Sequence, residues 1–406
     1  MDRIILHCDG NNFFASCECT LRPELWNVPM AVAGDPKSRH GIILAKNELA
    51  KKAGVLTAET IWQAQRKCPN LVLVPASYDL YHSFYERINQ IYLSYTDLVE
   101  PFSIDESFLD ITGCMHLHPG KTPRDIADEI RCRVSSELGI TISVGVSFCK
   151  SFAKLGSDYK KPNATTVIMR EDVPKIVYPL PVSDLVFVGK KTTEILALHT
   201  IKTVGDLAGL SEEYLVSILG KQGQDLYSVV HCMENSQVRD FYDYIAPKSV
   251  SHGMTFRRDL LGESEVRSGV SVLSDYVASR LRYEGLKGSV ISVVLKDPSF
   301  KTIQRQRKIN SPTYLQKEIT EIVMDLIFEN WDFSKPIRLI TVGVSDLVPK
   351  DSETVSQMSL FENVNSPAVN SDRQEKLEDT MADIRERFGS SSIRFGYSSS
   401  SELGIK

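Results

Sequence analysis

The sequence predicts a multi-domain α+β protein, and three observations carry that expectation. At 406 residues the chain is too long for one compact core and suits roughly two to four domains. Short apolar strands alternate with stretches of helical period up to about residue 165. Composition then shifts at about residue 165, and again near residue 348, where Ser, Asn and acids take over.

The first strand runs through Ile4, Ile5 and Leu6 and closes on Asp9-Gly10, with Phe13, Phe14 and Ala15 opening a helix. Met30 to Ala33 and Gly41 to Ala45 read as short strands joined by the turn-rich segment 34–40. Asn47 to Ala53 reads as a short helix stopped by Gly54. From Tyr78 to Thr96, the residues Tyr81, Phe84, Tyr85, Ile88, Ile91, Tyr92 and Tyr95 recur at helical spacing. A strand pair centred on Ser103 to Asp110 follows, then a helix over Arg124 to Leu138 and an alternating strand over Thr141 to Phe148. Strands and crossover helices in this mixture imply a mostly antiparallel sheet.

Further on, Asp184 to Leu207 reads as two short helices around Gly189 and Gly205, residues 211–232 as helix, and 235–248 as a linker. A second α+β unit covers 249–347, with strands near Val290 to Leu295 and Ile337 to Val344. Residues 349–406 read as a flexible tail with one helix, Arg373 to Phe388, whose Leu377, Met381 and Ile384 share a face.

The formal net charge of -5 argues against a protein that coats nucleic acid by bulk charge. A basic groove stays open, because the distribution of charge matters more than its sum. No stretch approaches the roughly 18 apolar residues of a membrane span, and the start lacks the apolar core and cleavage site of a signal peptide. The expectation is a cytoplasmic protein with no membrane partner. Eight cysteines form no CxxC pair and no zinc-type spacing, so they are expected to be reduced core residues.

Asp9 closes one apolar strand and Asp105-Glu106 lies in another. Adjacent side chains on a strand face opposite ways, so this pair belongs near a strand end or a turn. Carboxylates in apolar company are costly unless a cation neutralises them. Three of them at a sheet edge would suit the two divalent ions, about 4 Å apart, that nucleotidyl transfer needs. Spacing alone leaves open that they are three surface acids at strand ends.

The local words narrow the choice. Cys8-Asp9-Gly10-Asn11-Asn12-Phe13-Phe14-Ala15-Ser16-Cys17-Glu18 and Ser103-Ile104-Asp105-Glu106-Ser107-Phe108-Leu109-Asp110 are two of four blocks. Ser143-Val144-Gly145-Val146-Ser147 is the third, and Phe152-Ala153-Lys154-Leu155-Gly156-Ser157-Asp158-Tyr159-Lys160-Lys161-Pro162-Asn163 the fourth. In order and spacing they resemble the Y-family polymerases, especially the bacterial UmuC-like branch, over roughly residues 1 to 350. The resemblance implies a right-hand polymerase with a palm (1–10 and 78–165), small fingers (11–77) and a helical helix-hairpin-helix thumb (166–234). A linker (235–248), an α+β little finger (249–348) and the flexible tail (349–406) would follow. It implies a template-dependent DNA polymerase that adds dNTPs to a primer 3′ end and is specialised for bypassing damaged template bases in an SOS-type repair response. Its location would be cytoplasmic and nucleoid-associated.

The resemblance also implies residue roles. Asp9 and Asp105 would bridge two Mg²⁺ ions, with Mn²⁺ a substitute. Glu106 would ligate the ion that activates the primer hydroxyl, and the Gly10 carbonyl would complete the nucleotide-bound ion. Phe13 and Phe14 would hold the incoming sugar, Phe14 as the steric gate against a ribose 2′-hydroxyl; the bland reading is core packing at a helix start. Lys161 matches the phosphate-binding lysine. Asn47 and Lys51 fall in the small finger helix as nucleotide-binding positions, but the Tyr and Arg common there are absent, and Lys offers only a point contact.

Phe187-Val188-Gly189-Lys190-Lys191-Thr192 with Ile201-Lys202-Thr203-Val204-Gly205-Asp206-Leu207 resembles a degraded helix-hairpin-helix, in which Gly189 and Lys190 would hold a DNA phosphate. In Lys301 to Lys308, a strand would place Lys301, Arg305 and Arg307 on one face as a row for phosphates, extended by Arg257 and Arg258. The competing reading is a solvated basic edge strand. Gln357-Met358-Ser359-Leu360-Phe361 resembles the peptide that binds the bacterial sliding clamp. Expected partners are primer-template DNA, dNTPs, that clamp and, an open matter, accessory subunits. The alternatives are a catalytically inactive DNA-bound scaffold, which metal-dependent primer extension excludes, and another palm-fold enzyme such as a nucleotide cyclase.

Overall fold

Six consecutive buried residues make β1 (Ile5–Gly10) an interior strand. The computed structural model describes residues 2–35, 41–243, 245–352, 368–389 and 392–393. In it β1 opens the first of two units, Met1–Tyr244 and Ile245–Lys406. Next come α1 (Phe13–Leu21), β2 (Met30–Ala33), β3 (Ile43–Lys46), α2 (Glu48–Lys52), α3 (Ile61–Lys67) and β4 (Val72–Pro75). They are followed by α4 (Tyr78–Leu93), β5 (Val99–Pro101), β6 (Glu106–Asp110), α5 (Pro123–Leu138), β7 (Ile142–Ser147), α6 (Lys150–Tyr159) and β8 (Thr165–Ile168). The unit ends on α7 (Lys190–Leu198), α8 (Val204–Ala208), α9 (Glu212–Leu219) and α10 (Lys221–Val230).

A five-stranded sheet has the order β5-β6-β1-β7-β8, antiparallel except between β7 and β8. A second sheet, β3-β2-β4, carries α2 and α3 nearby in sequence. On β1 the side chains alternate between two helical layers. Leu6 and Cys8 join the core of Tyr81, Ile88, Ile126 and Ile130 from α4 and α5. Ile5, His7 and Asp9 turn to the other face, where α6 lies. That helix comes close because Gly145, opposite His7, has no side chain. A Cβ there would stand 1.8 Å from the Ala153 carbonyl oxygen and 2.5 Å from the Ser157 amide nitrogen.

Three expectations about elements need correction. Strand β7 does not alternate; it is buried on both faces, and its Ser143 and Ser147 hydroxyls donate to Asn11 and to the Ile168 carbonyl. Residues 211–232 are two helices, because Gly220 takes φ 61° and breaks the run. Not all cysteines are core: the eight are free, but Cys132 is exposed and Cys114 and Cys232 are half-buried.

The second unit contains β9 (Ser249–Leu260), α11 (Glu263–Tyr283), β10 (Leu286–Lys296), β11 (Thr302–Thr313), α12 (Gln316–Asn330), β12 (Ile337–Pro349) and α13 (Ala368–Phe388). Its antiparallel sheet has the order β11-β10-β12-β9. Ile291, Val293, Leu295, Ile340, Val342 and Val344 pack under α11 and α12. The tail helix is not loose. Glu378 is fully buried and pairs with Arg282 of α11 at 2.6 Å, while accepting from the Gln316 amide at 3.0 Å. Arg385 grips Asp275 with two bonds of 2.9 and 2.8 Å. The inward face of α13 therefore carries Glu378, Met381 and Arg385, whereas Leu377 is 51% exposed. Side chains chosen for polarity, and not the apolar stripe, orient this helix.

Replacing Gly145 by Ala should destabilise the first unit by more than about 3 kcal/mol, because the added methyl strikes backbone on both sides. Urea unfolding checks this; a midpoint equal to that of the parent protein would show that α6 can move away at little cost.

Candidate active site

Register brings the acids together. Asp9 on β1 is directly opposite Glu106, the first residue of β6, and directly opposed residues share a face. Asp105 sits just before β6 begins, where the chain is not yet pleated, so it escapes the alternation that would turn it away. Its carbonyl accepts from the Gly10 amide at 3.0 Å. Ser103 donates to its Oδ1 at 2.7 Å. Because Asp9 and Glu106 share the face of His7, they look toward α6.

Ammonium groups on that helix and just past its end answer them. Lys161 lies 2.7 Å from Asp9 Oδ2 and also 2.7 Å from Asp158. Lys154 donates to Glu106 Oε1 at 2.9 Å. Burial pushes Asp9 up to about 7; Lys161 opposes that rise and Glu106 adds to it. Asp105 is also raised by burial, against the Ser103 hydrogen bond. His7 is held well below its usual range by burial, with Lys154 and Lys161 adding to the effect, so its ring is neutral.

Among the described residues no three His, Cys, Asp or Glu side chains converge as a ready-made metal site; the two lysines stand in that place. The donor set nevertheless fits hard divalent cations. Three carboxylates stand at one sheet end, and burial pushes two of them toward protonation.

Phe14 is half-buried and stacks on Tyr81, with ring centroids 4.1 Å apart and planes at 10°. Tyr81 is fully buried, and its hydroxyl donates to the buried Glu18 at 2.8 Å. The Phe14 ring is thus a braced wall. Phe13 differs: at 3% exposure its ring is core, so only its backbone is left to meet a nucleotide. Asn47 must be corrected as well. Its buried amide caps α2 at Ala50, accepts from Met30 and donates to the Leu25 and Val28 carbonyls. Those bonds use its capacity, so it braces the fold and cannot also hold a phosphate. Lys51 is exposed and 3.7 Å from Glu48, which in turn accepts from Asn12 at 2.9 Å. This chain of contacts keeps it beside the loop that follows Asp9.

Gly189 is the N-cap of α7, which has no side-chain cap and no acid in its first turn, and the Lys190 side chain is 91% exposed. In the second unit the proposed basic row breaks up. Lys301 lies in the turn before β11, where its amide donates to Asp297. Arg305 and Arg307 are opposite Val293 and Ile291, which places them on the helix-covered side. There Arg305 bonds Asn330, and Arg307 pairs with Asp325 and Glu329 of α12. Arg258 likewise makes a two-pronged pair with Glu265. Arg257 is exposed one residue earlier, with the opposite facing. The open sheet face instead carries Lys296, Gln304, Gln306, Lys308, Thr341 and Ser251, by the parity of the register. Residues 357–361 lie outside the described residues.

Sequence reasoning missed His7, Lys154 and Ser103. Lys154 stood in the fourth sequence block, on the helix that packs over the carboxylates, seven residues before Lys161.

Residues 8–158 match the impB/mucB/samB family, and residues 247–360 match its C-terminal domain. The chain is similar to DNA polymerase IV of Acetivibrio thermocellus, with 43% identity across 98% of this chain and 97% of the relative. DNA polymerase IV of Moorella thermoacetica is 36% identical over 96% and 94% of the two chains. DNA polymerase IV 1 of Bacillus subtilis is 33% identical over 97% and 92%. Among solved structures, a Y-family DNA polymerase chimera shares the fold, with a TM-score of 0.73 and 22% identity over 85% of this chain and 99% of that one.

A carboxylate whose folded value is raised favours the folded state at low pH, and that contribution is lost as pH rises through the raised value, here about 7. Without metal, Asp9→Asn should therefore raise the thermal midpoint more at about pH 8 than at about pH 5. Mg²⁺ should stabilise the parent protein more at the higher pH. Thermal unfolding with and without Mg²⁺ checks both; a lower midpoint for Asp9→Asn at the higher pH would contradict the assignment.

Proposed function

The chain belongs to the impB/mucB/samB family of Y-family DNA polymerases, and from that membership we propose that it copies template DNA across damaged bases. It is a DNA-directed DNA polymerase that takes primer-template DNA and dNTPs. The observation that carries the chemistry is that Asp9 stands directly opposite Glu106, with Asp105 tied through its backbone to Gly10 at the same end of the sheet. Asp9, Asp105 and Glu106, with the Gly10 carbonyl, would hold two Mg²⁺ ions, for which Mn²⁺ can substitute. Bound ions supply Lewis-acid stabilisation to the attacking and leaving oxygens.

The protein's own groups do the rest. Lys161 is within 2.7 Å of Asp9 and can exchange that carboxylate for triphosphate oxygens as a nucleotide arrives. Lys51 offers a further point charge at the rim. The Phe14 ring, fixed by Tyr81, selects deoxyribose by leaving no room for a 2′-hydroxyl.

The five-stranded sheet with α4, α5 and α6 is read as palm, the β3-β2-β4 region as fingers, α7–α10 as thumb and the second unit as little finger. Gly189 and Lys190 would hold a backbone phosphate at the start of α7. In the little finger, Arg257 and the polar open face suit DNA better than Arg258, Arg305 and Arg307, which are already paired. Residues 357–361 are read as the sliding-clamp peptide from sequence alone. Relatives named DNA polymerase IV support an enzyme of that type; the UmuC-like placing and accessory subunits rest on the sequence resemblance. A cytoplasmic, nucleoid-associated role in an SOS-type response follows from the same reading. No helix among the described residues is long and apolar enough to cross a membrane. The inactive-scaffold reading is not favoured, because all three carboxylates are retained and gathered.

Primer extension with purified protein, Mg²⁺ and dNTPs on undamaged and abasic templates tests the proposal. Asp105→Ala and Glu106→Ala should abolish extension while leaving primer-template affinity unchanged, since they remove metal ligands and no phosphate contact. Extension at the parent rate by either variant would refute the assignment. Phe14→Ala should admit ribonucleotides, read as incorporation of rNTPs against dNTPs; unchanged discrimination would place the gate elsewhere.

A further inference from the structure

Lys154 holds Glu106 through one of its oxygens. Lys154 donates to Oε1 at 2.9 Å, and its ammonium also lies over the Phe102 ring, 5.2 Å from the centroid. Helix α6 keeps that lysine in place because Gly145 and Gly156 seat the helix directly on the sheet. The second oxygen, Oε2, faces His7, whose Nε2 is 3.9 Å away, buried and without a hydrogen-bond partner.

The wiring of His7 explains the gap. Ser157 gives its single hydroxyl hydrogen to the Lys154 carbonyl at 2.7 Å. It therefore accepts from His7 Nδ1–H at 2.8 Å. The other ring nitrogen, Nε2, makes no hydrogen bond and at 3.9 Å does not reach Glu106 Oε2 as a donor. One end of Glu106 is occupied and the other is left without a donor from His7. The same residues produce both effects, since Ser157 links the Lys154 backbone to the His7 ring.

Building on the two-metal reading above, we infer that Lys154 is a positioning residue that restricts Glu106 to one-oxygen ligation and so sets the site's preference for Mg²⁺ over Ca²⁺. Mg²⁺ demands near-ideal octahedral geometry and takes one oxygen from each carboxylate it meets. Ca²⁺ accepts more oxygens and readily takes both from one carboxylate. A lysine parked on Oε1 denies Ca²⁺ that second oxygen. An arginine there would form a two-pronged pair and engage both oxygens, leaving neither metal a free ligand.

The test measures metal binding without turnover. The full chain is bound to a primer-template whose primer ends in a dideoxynucleotide, and Mg²⁺ and Ca²⁺ are titrated separately by calorimetry. Lys154→Met should tighten both ions through the lost positive charge, with Ca²⁺ gaining roughly tenfold more than Mg²⁺. Lys154→Arg should weaken both. Lys154→Gln, which keeps a neutral donor, gives a second reading if the Met variant folds poorly. A Ca²⁺ to Mg²⁺ affinity ratio unchanged in Lys154→Met and Lys154→Gln overturns the inference. Parent protein that binds neither ion and extends no primer would overturn the two-metal reading itself, which keeps the two failures distinct.

Discussion

A carboxylate placed 4% exposed at the end of an interior strand cannot remain charged without help, and much of the first unit is arranged around that constraint. Asp9 must sit opposite Glu106 for both to serve one site, so repulsion between them is built in. The fold meets it with a helix laid flat on the sheet, which carries Lys154 and is followed two residues past its end by Lys161. The helix can lie so close only because Gly145 and Gly156 strip the contact to backbone. The glycines, the lysines and the acids are therefore one arrangement, and none of them makes sense separately.

The same logic separates parts of the site by rigidity. Asp9, His7 and Ser157 are buried and tied into the sheet or α6, whereas Lys51 and Lys190 are exposed and held by little besides local helix geometry. Groups that must meet a metal repeatedly in one place are fixed. Groups that meet a mobile polyanion are allowed to adapt, which costs less in recognition by charge than in coordination.

Much of this was legible in the sequence, and the misses have identifiable causes. The strand ends at Asp9 and Glu106, the αL stop at Gly54 and the amphipathic α4 follow from local rules. Arg305 and Arg307 did not, because a one-residue difference in pairing decides which side of a sheet a strand presents. That pairing involves an irregularity at Gly288 to Val290 which no local pattern betrays. Asn47 was misread because the carbonyls its amide serves, at Leu25 and Val28, lie about twenty positions earlier in the chain. Lys154 received no role from the sequence because its partner, Glu106, is 48 residues away.

The buried pair between Arg282 and Glu378 moves the edge of the second unit beyond the point where the family's C-terminal domain pattern stops. The family's C-terminal domain matches to residue 360, yet a fragment cut there keeps Arg282, 8% exposed, and discards the one carboxylate paired with it among the described residues. The same cut removes the acceptor for the Gln316 amide at the start of α12. A recombinant piece delimited by homology would thus inherit an uncompensated guanidinium inside its own core. The packed edge of this unit lies past Arg385, beyond the residue at which the domain pattern ends.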